Sequence, residues 1–119
     1  MPRASFNSVR HDAVPRERVV EAAQAWADRL RAEHPEVLRV GYFGSYATNT
    51  YVPGSDFDVL IEVSHTRAGR RADRADRYRP DRFPVGLELF VYTTDELARA
   101  RSEGSAFIAE VIRRIVWLE

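Results

Sequence analysis

Two aspartates one residue apart, Asp56 and Asp58, lie ten residues beyond a glycine–serine pair, Gly44-Ser45. Side chains alternate along a strand, so the carboxylates of an Asp-Phe-Asp segment face one side, roughly 7 Å apart at about 3.3 Å per residue. Two hard anionic groups at that spacing suit one or two Mg²⁺ (or Mn²⁺) ions. Phe57 points the other way and anchors the strand. Glycine at position 44 lets the backbone approach a ligand closely. The N–H groups opening a helical turn after it face phosphate oxygens, and the Ser45 hydroxyl adds a donor. Ser55, beside the aspartates, completes the nucleotide-binding candidates. Glu88 is the one charged residue in an otherwise apolar segment. Should Leu87, Leu89 and Val91 pack in register with Phe57, Val59 and Ile61, Glu88 joins the aspartates on the open face. Three carboxylates on one face repel each other, and bound cations are the natural compensation.

These residues need elements to hold them. Val19, Val20, Ala23, Trp26, Ala27 and Leu30 recur at helical spacing, predicting a helix over Pro15 to Ala32 that stops at His34-Pro35. Val37 to Phe43 alternates as a strand. Gly44-Ser45 leads into no more than a turn of helix, and Asn49, Pro53, Gly54 and Ser55 mark turns. Phe57 to Val63 is a second strand with Phe57, Val59, Ile61 and Val63 on one apolar face. Gly86 to Tyr92 is a third. Thr93 to Glu96 has capping-box spacing and starts a helix. Phe107, Ile108, Val111, Ile112 and Ile115 form the core stripe of a last helix, with Ile115 to Leu118 either its end or a short strand. The pattern left open for Ser64 to Pro84 is an exposed helix or a mobile loop. The fold class is α/β (α+β): a small mixed sheet with helices packed on one face.

The chain has 119 residues, which suits a single domain spanning 1–119, with a tail over 1–13 and a core from about 14. Hydrophobic residues make up 45% and charged residues 30%, a balance that predicts a globular domain. There is no apolar run of membrane-spanning length and no signal-peptide pattern, so a cytoplasmic location is expected, without membrane contact. Absence of cysteine excludes disulfides and thiolate zinc sites. Net charge is zero, which disfavours a general nucleic-acid binder. All 18 basic residues are arginine, and seven of them fall between Arg67 and Arg82 with three aspartates. That stretch reads as a solvated face, an arm over a triphosphate, or a contact for an acidic partner or RNA. His11, His34 and His65 lack metal-ligand spacing. They read as surface residues, with His65 the one that can edge the site. Trp26 and Trp117 read as core or interface.

The segment from Gly44-Ser45 to Asp56-Phe57-Asp58 resembles the signature of the DNA polymerase β nucleotidyltransferase superfamily. It is most similar to the superfamily's smallest branch, the minimal nucleotidyltransferases, which often serve as antitoxins beside a HEPN-domain partner. The resemblance runs from about Val37 to Glu119 and includes Glu88 to Glu96. It implies a polymerase β-like nucleotidyltransferase fold, phosphate binding at Gly44 and Ser45, and metal binding at Asp56 and Asp58. It also implies a third carboxylate at Glu88, where relatives usually have Asp, that helps activate the acceptor hydroxyl. Asn49 stands where many relatives have Gly. The activity implied is Mg²⁺-dependent transfer of a nucleotidyl group, AMP from ATP, to a hydroxyl such as a tyrosine of a HEPN toxin. Glu88 in place of Asp keeps a second function open: a weak or inactive nucleotide-binding module that neutralises its partner by contact. A domain this small has little room for an acceptor, which points to a homo- or hetero-oligomer.

Overall fold

A computed structural model describes residues 14–67 and 71–119. The expected tail over 1–13, His11 and residues 68–70 of the arginine-rich stretch lie outside them. The order is α1 (Arg16–Glu33), β1 (Val37–Phe43), α2 (Ser45–Thr48), β2 (Phe57–Val63), α3 (Arg71–Tyr78), β3 (Leu87–Thr93), α4 (Thr94–Ser102), α5 (Ala106–Arg114) and β4 (Val116–Trp117). The four strands form a mixed sheet in the order β3-β2-β1-β4. β1 runs antiparallel to β2 and β4, while β2 and β3 are parallel and joined by the α3 crossover.

The alternation of β2 explains the layering. Phe57, Val59, Ile61 and Val63 are all fully buried, beneath α1 residues Val19, Ala23, Trp26, Ala27 and Leu30. α3 adds Ala75 and Tyr78 to that core, so the undecided stretch after β2 holds a helix. The Trp26 indole donates to the Tyr78 carbonyl at 2.9 Å, which satisfies the one polar atom of a buried ring. Leu60 faces the other way and builds a second core with Phe43, Leu97, Ile108 and Val111. The expectation of helices on one face therefore needs correction: α4 and α5 cover part of the opposite face. The physical reason is Leu60, which, with Phe90 and Tyr92 of β3, makes that face too apolar to leave in water.

Polar links fix the helices. Thr93 caps α4 by accepting from the Glu96 N–H, and the Glu96 carboxylate accepts from the Thr93 N–H, a complete capping box. Glu96 is gripped again by Arg74, 5% exposed, through paired contacts of 2.7 and 3.0 Å. One carboxylate thus ties α3 to the start of α4. Arg74→Ala is expected to cost about 2–3 kcal/mol, since it strands a partly buried acid. Urea unfolding monitored by tryptophan fluorescence checks this, and Arg74→Met should cost less than Arg74→Ala.

Glu36, in the turn just before β1, is a second link. Burial alone would raise its carboxyl. Hydrogen bonds from Tyr78, its own backbone and Arg77, together with the Arg77 charge, bring it down to about 2 instead. The Tyr78 hydroxyl donates at 2.6 Å and Arg77 at 3.1 Å. Burial and this acceptor push the Tyr78 hydroxyl up to about 12. A carboxyl held below its unfolded value stabilises the fold above that value, and the contribution fades as pH falls toward the folded one. Wild type should therefore exceed Glu36→Gln in thermal midpoint at pH 6–7. The gap should close between about pH 4.5 and 2.

Candidate active site

The site forms where β1 ends and where β2 and β3 begin. Phe57 is fully buried, with its ring 5.0 Å from Tyr42, 5.3 Å from Tyr46 and 5.5 Å from Phe83. Rings on three sides fix the strand's rotation, so Asp56 and Asp58 must face the other way.

The pairings then set the acids in a row. Asp58 is opposite Phe43 on β1 and opposite Glu88 on β3. Phe57 pairs with Leu87, Val59 with Leu89 and Ile61 with Val91. This is the register that brings Glu88 to the face of Asp58, and the two side chains are within hydrogen-bonding reach. Asp56 and Glu88 are exposed and Asp58 is half-buried. Burial first, then the charges of Glu88 and Asp56 and the Glu88 contact, push the Asp58 carboxyl up to about 6. The cluster carries more negative charge than its surroundings offset.

Two glycines shape this cleft. Gly44 has φ 75°, in the left-handed region that favours glycine, and a Cβ built there would lie 2.3 Å from Asp58 Oδ2. The corner is glycine both for its turn and for the carboxylate lying against it. Gly86, expected from the sequence only as the first residue of the third strand, lies just before that strand and beside the acids. A Cβ on it would lie 2.2 Å from Asp56 Oδ1, and its carbonyl accepts from the Phe57 N–H at 2.8 Å. Its only signal in the chain is a glycine next to a strand bearing a lone acid, too common a pattern to single out.

The remaining candidates fall as follows. Ser45 opens α2 and is half-buried. Asn49 closes α2 in the left-handed conformation, φ 62°, the backbone a glycine would supply there. The Ser55 hydroxyl oxygen accepts from the Val52 N–H at 2.9 Å, so it braces the turn before Asp56. His65 follows the far end of β2, roughly 20 Å of strand from the aspartates. It does not edge the site. Trp26 is core, and Trp117 lies under Arg39, whose guanidinium sits 3.9 Å from the ring centroid. α3 packs with α1 on the face away from Asp58 and Glu88, so its residues do not arch over the acids.

Among the described residues, no three acids or imidazoles close into a cage around a single point. The donor set nevertheless suits a hydrated divalent cation. It consists of two exposed carboxylates and a half-buried one, and their mutual repulsion adds to burial in raising Asp58. Glu62, on the same face, is already paired with Arg39 at 2.8 Å and takes no part. Among the described residues, no helix is long and apolar enough to cross a membrane.

Comparison with known proteins identifies the family and the fold. The nucleotidyltransferase domain family matches residues 24–110, a span that includes the corner, both aspartates and Glu88. A protein from Sulfolobus solfataricus assigned as a nucleotidyltransferase superposes with a TM-score of 0.56 at 20% identity, over 83% of this chain and 82% of that one. A toxin–antitoxin chain crystallised with AMP-PNP superposes with a TM-score of 0.51 at 19% identity, over 81% and 72%. No curated protein matches in sequence. The mixed sheet is thus one that nucleotidyltransferases use, and the chain belongs to the nucleotidyltransferase domain family.

Proposed function

We propose that this protein moves AMP from ATP to a hydroxyl acceptor, a tyrosine of a HEPN-type toxin, and thereby acts as an antitoxin in the cytoplasm. The observation that carries the reading is the register row that sets Phe43, Asp58 and Glu88 side by side across three strands, with the Gly44 corner lying against the Asp58 carboxylate. The likeness to a chain of a toxin–antitoxin crystallised with AMP-PNP supports a nucleotide and a partner protein.

In this reading the backbone N–H groups after Gly44 and the Ser45 hydroxyl hold the triphosphate. Ser55 keeps the Asp56 turn in place, and its hydroxyl would donate to the nucleotide. Asp56, Asp58 and Glu88 would hold Mg²⁺ or Mn²⁺. When bound, such ions neutralise phosphate charge and stabilise the entering and leaving oxygens. The acceptor oxygen attacks the α-phosphorus in line, the bond from that phosphorus to the bridging oxygen breaks, and pyrophosphate leaves. Glu88, exposed on the acceptor side of Asp58, takes the hydroxyl proton. The chain supplies position and charge rather than a covalent intermediate. A small acceptor face calls for a complex or a second copy to complete it.

Incubation with α-labelled ATP, Mg²⁺ and the partner should label the partner. Absence of transfer to any protein or small hydroxyl acceptor sinks the reading. One observation favours a second function. Glu88 is one methylene longer than the usual Asp and already reaches Asp58, which suits a binding module with weak turnover. Partner neutralisation that survives combined Asp56→Ala and Asp58→Ala would select that alternative.

A further inference from the structure

Beside the Gly44 corner lies a cavity of about 300 Å³. Phe43, Gly44 and Thr48 form one wall, and Phe107 and Val111 of α5 form the other. Arg114 and Glu110 meet at its rim through a 2.8 Å contact. The volume is at the small end of the range for small-molecule pockets, about 300–1,000 Å³. Its lining is mainly apolar and aromatic, unlike the acids next to it.

Its position relative to the acids is informative. Across the sheet the order is Phe43, Asp58, Glu88. Glu88 is on one side of Asp58, and the cavity and the glycine corner are on the other. A nucleotide with its phosphates at Gly44 therefore has this cavity within reach of its nucleoside end.

Phe107 is the feature that needs explaining. It is 43% exposed, although water-facing phenylalanine contributes little to a core. Its ring is nonetheless held in place, 6.0 Å from Phe43 and 5.4 Å from Phe90 by centroid. Phe43 and Phe90 also contact each other at 5.5 Å. A ring braced from beneath and open above is a rigid stacking platform, available at little entropic cost.

We propose that this cavity holds the nucleobase of the nucleoside triphosphate, stacked on Phe107. The inference rests on the nucleotide-binding reading above and adds the subsite that distinguishes a nucleotide from a bare phosphate chain. At the rim the Arg114 Nε donates to Glu110, a carboxylate also held by Arg113, which leaves the terminal nitrogens of Arg114 as the polar group nearest the base.

The test is titration calorimetry with AMP-PNP and with inorganic tripolyphosphate, each with Mg²⁺. Phe107→Ala should weaken AMP-PNP on the order of tenfold or more and leave tripolyphosphate unchanged. Phe107→Trp should retain AMP-PNP affinity, which separates stacking from loss of fold. Unchanged AMP-PNP binding in Phe107→Ala overturns the subsite while leaving the nucleotide site standing. Equal losses for both ligands also overturn it, because they report a displaced phosphate corner. If the wild type binds neither ligand, the nucleotide-binding reading falls and the subsite falls with it.

Discussion

Asp58→Asn should reduce nucleotidyl transfer by about 10³-fold and yet make the metal-free protein more stable at pH 8. Both effects have one cause. Asp58 stands between Glu88 and Asp56 with its carboxyl pushed up to about 6 by burial and by those two neighbours. On the proposed function, a charge the fold itself disfavours serves the cation it would bind. Loss of one preorganised charge at a site of developing negative charge typically costs about 10²–10³ in rate, and on the proposed function Asp58 would also be a cation ligand, which places the effect at the upper end.

The stability effect has the opposite sign. A carboxyl raised above its unfolded value contributes stability at pH below that value, and loses it as pH climbs through the folded one. In wild type the loss runs from about 3.8 to about 6. Asparagine does not ionise and escapes it. Allowing for partial solvent screening, the gain should be on the order of 1–2 kcal/mol at pH 8. It should vanish by about pH 4. Mg²⁺ should stabilise wild type at pH 8 and leave Asp58→Asn nearly unmoved. Thermal melts across pH, with and without Mg²⁺, measure all of this. A variant less stable than wild type at pH 8 in chelator would show that Asp58 is held by contacts other than the repulsive ones.

Gly86→Ala tests positioning without touching an acid. The added methyl would meet Asp56 Oδ1 at 2.2 Å and no backbone atom. The far end of an exposed side chain can swing away, so the fold should change by no more than about 0.5 kcal/mol. The carboxylate must then move by about an ångström, and misplacement on that scale costs about 10²-fold in rate. The expected result is a folded protein with wild-type melting and a hundredfold loss of transfer, larger at low Mg²⁺ than at high. Unimpaired transfer would mean that Asp56 is free to sit elsewhere. Gly44→Ala is a blunter probe, since it adds a positive-φ penalty to the contact with Asp58.

The contrast between these two glycines shows where sequence reading ran out. Gly44 was legible because it is joined to Ser45 and leads toward an Asp-Phe-Asp segment. Gly86 was not, because what marks it is Asp56, thirty residues earlier in the chain. Contact between them arises only when β2 and β3 pair in parallel. The Phe107 platform was hidden for the same reason. At helical spacing it reads as core stripe, and only packing shows that Ile108 and Val111 are buried while Phe107 stays half in water.

By itself, the chain's amino-acid order determined its strands, its main helices and which side chains each strand turns to one side. Those properties follow from local periodicity: alternation in β1, β2 and β3, helical recurrence in α1, and a capping box before α4. Tertiary structure alone decided that α4 and α5 cover the face carrying the acids, that Glu88 lies opposite Asp58, and that two glycines lie against the aspartates. These depend on strand register and on long-range burial. Neighbours in sequence carry no information on which distant residue will be opposite, since that choice belongs to the whole core.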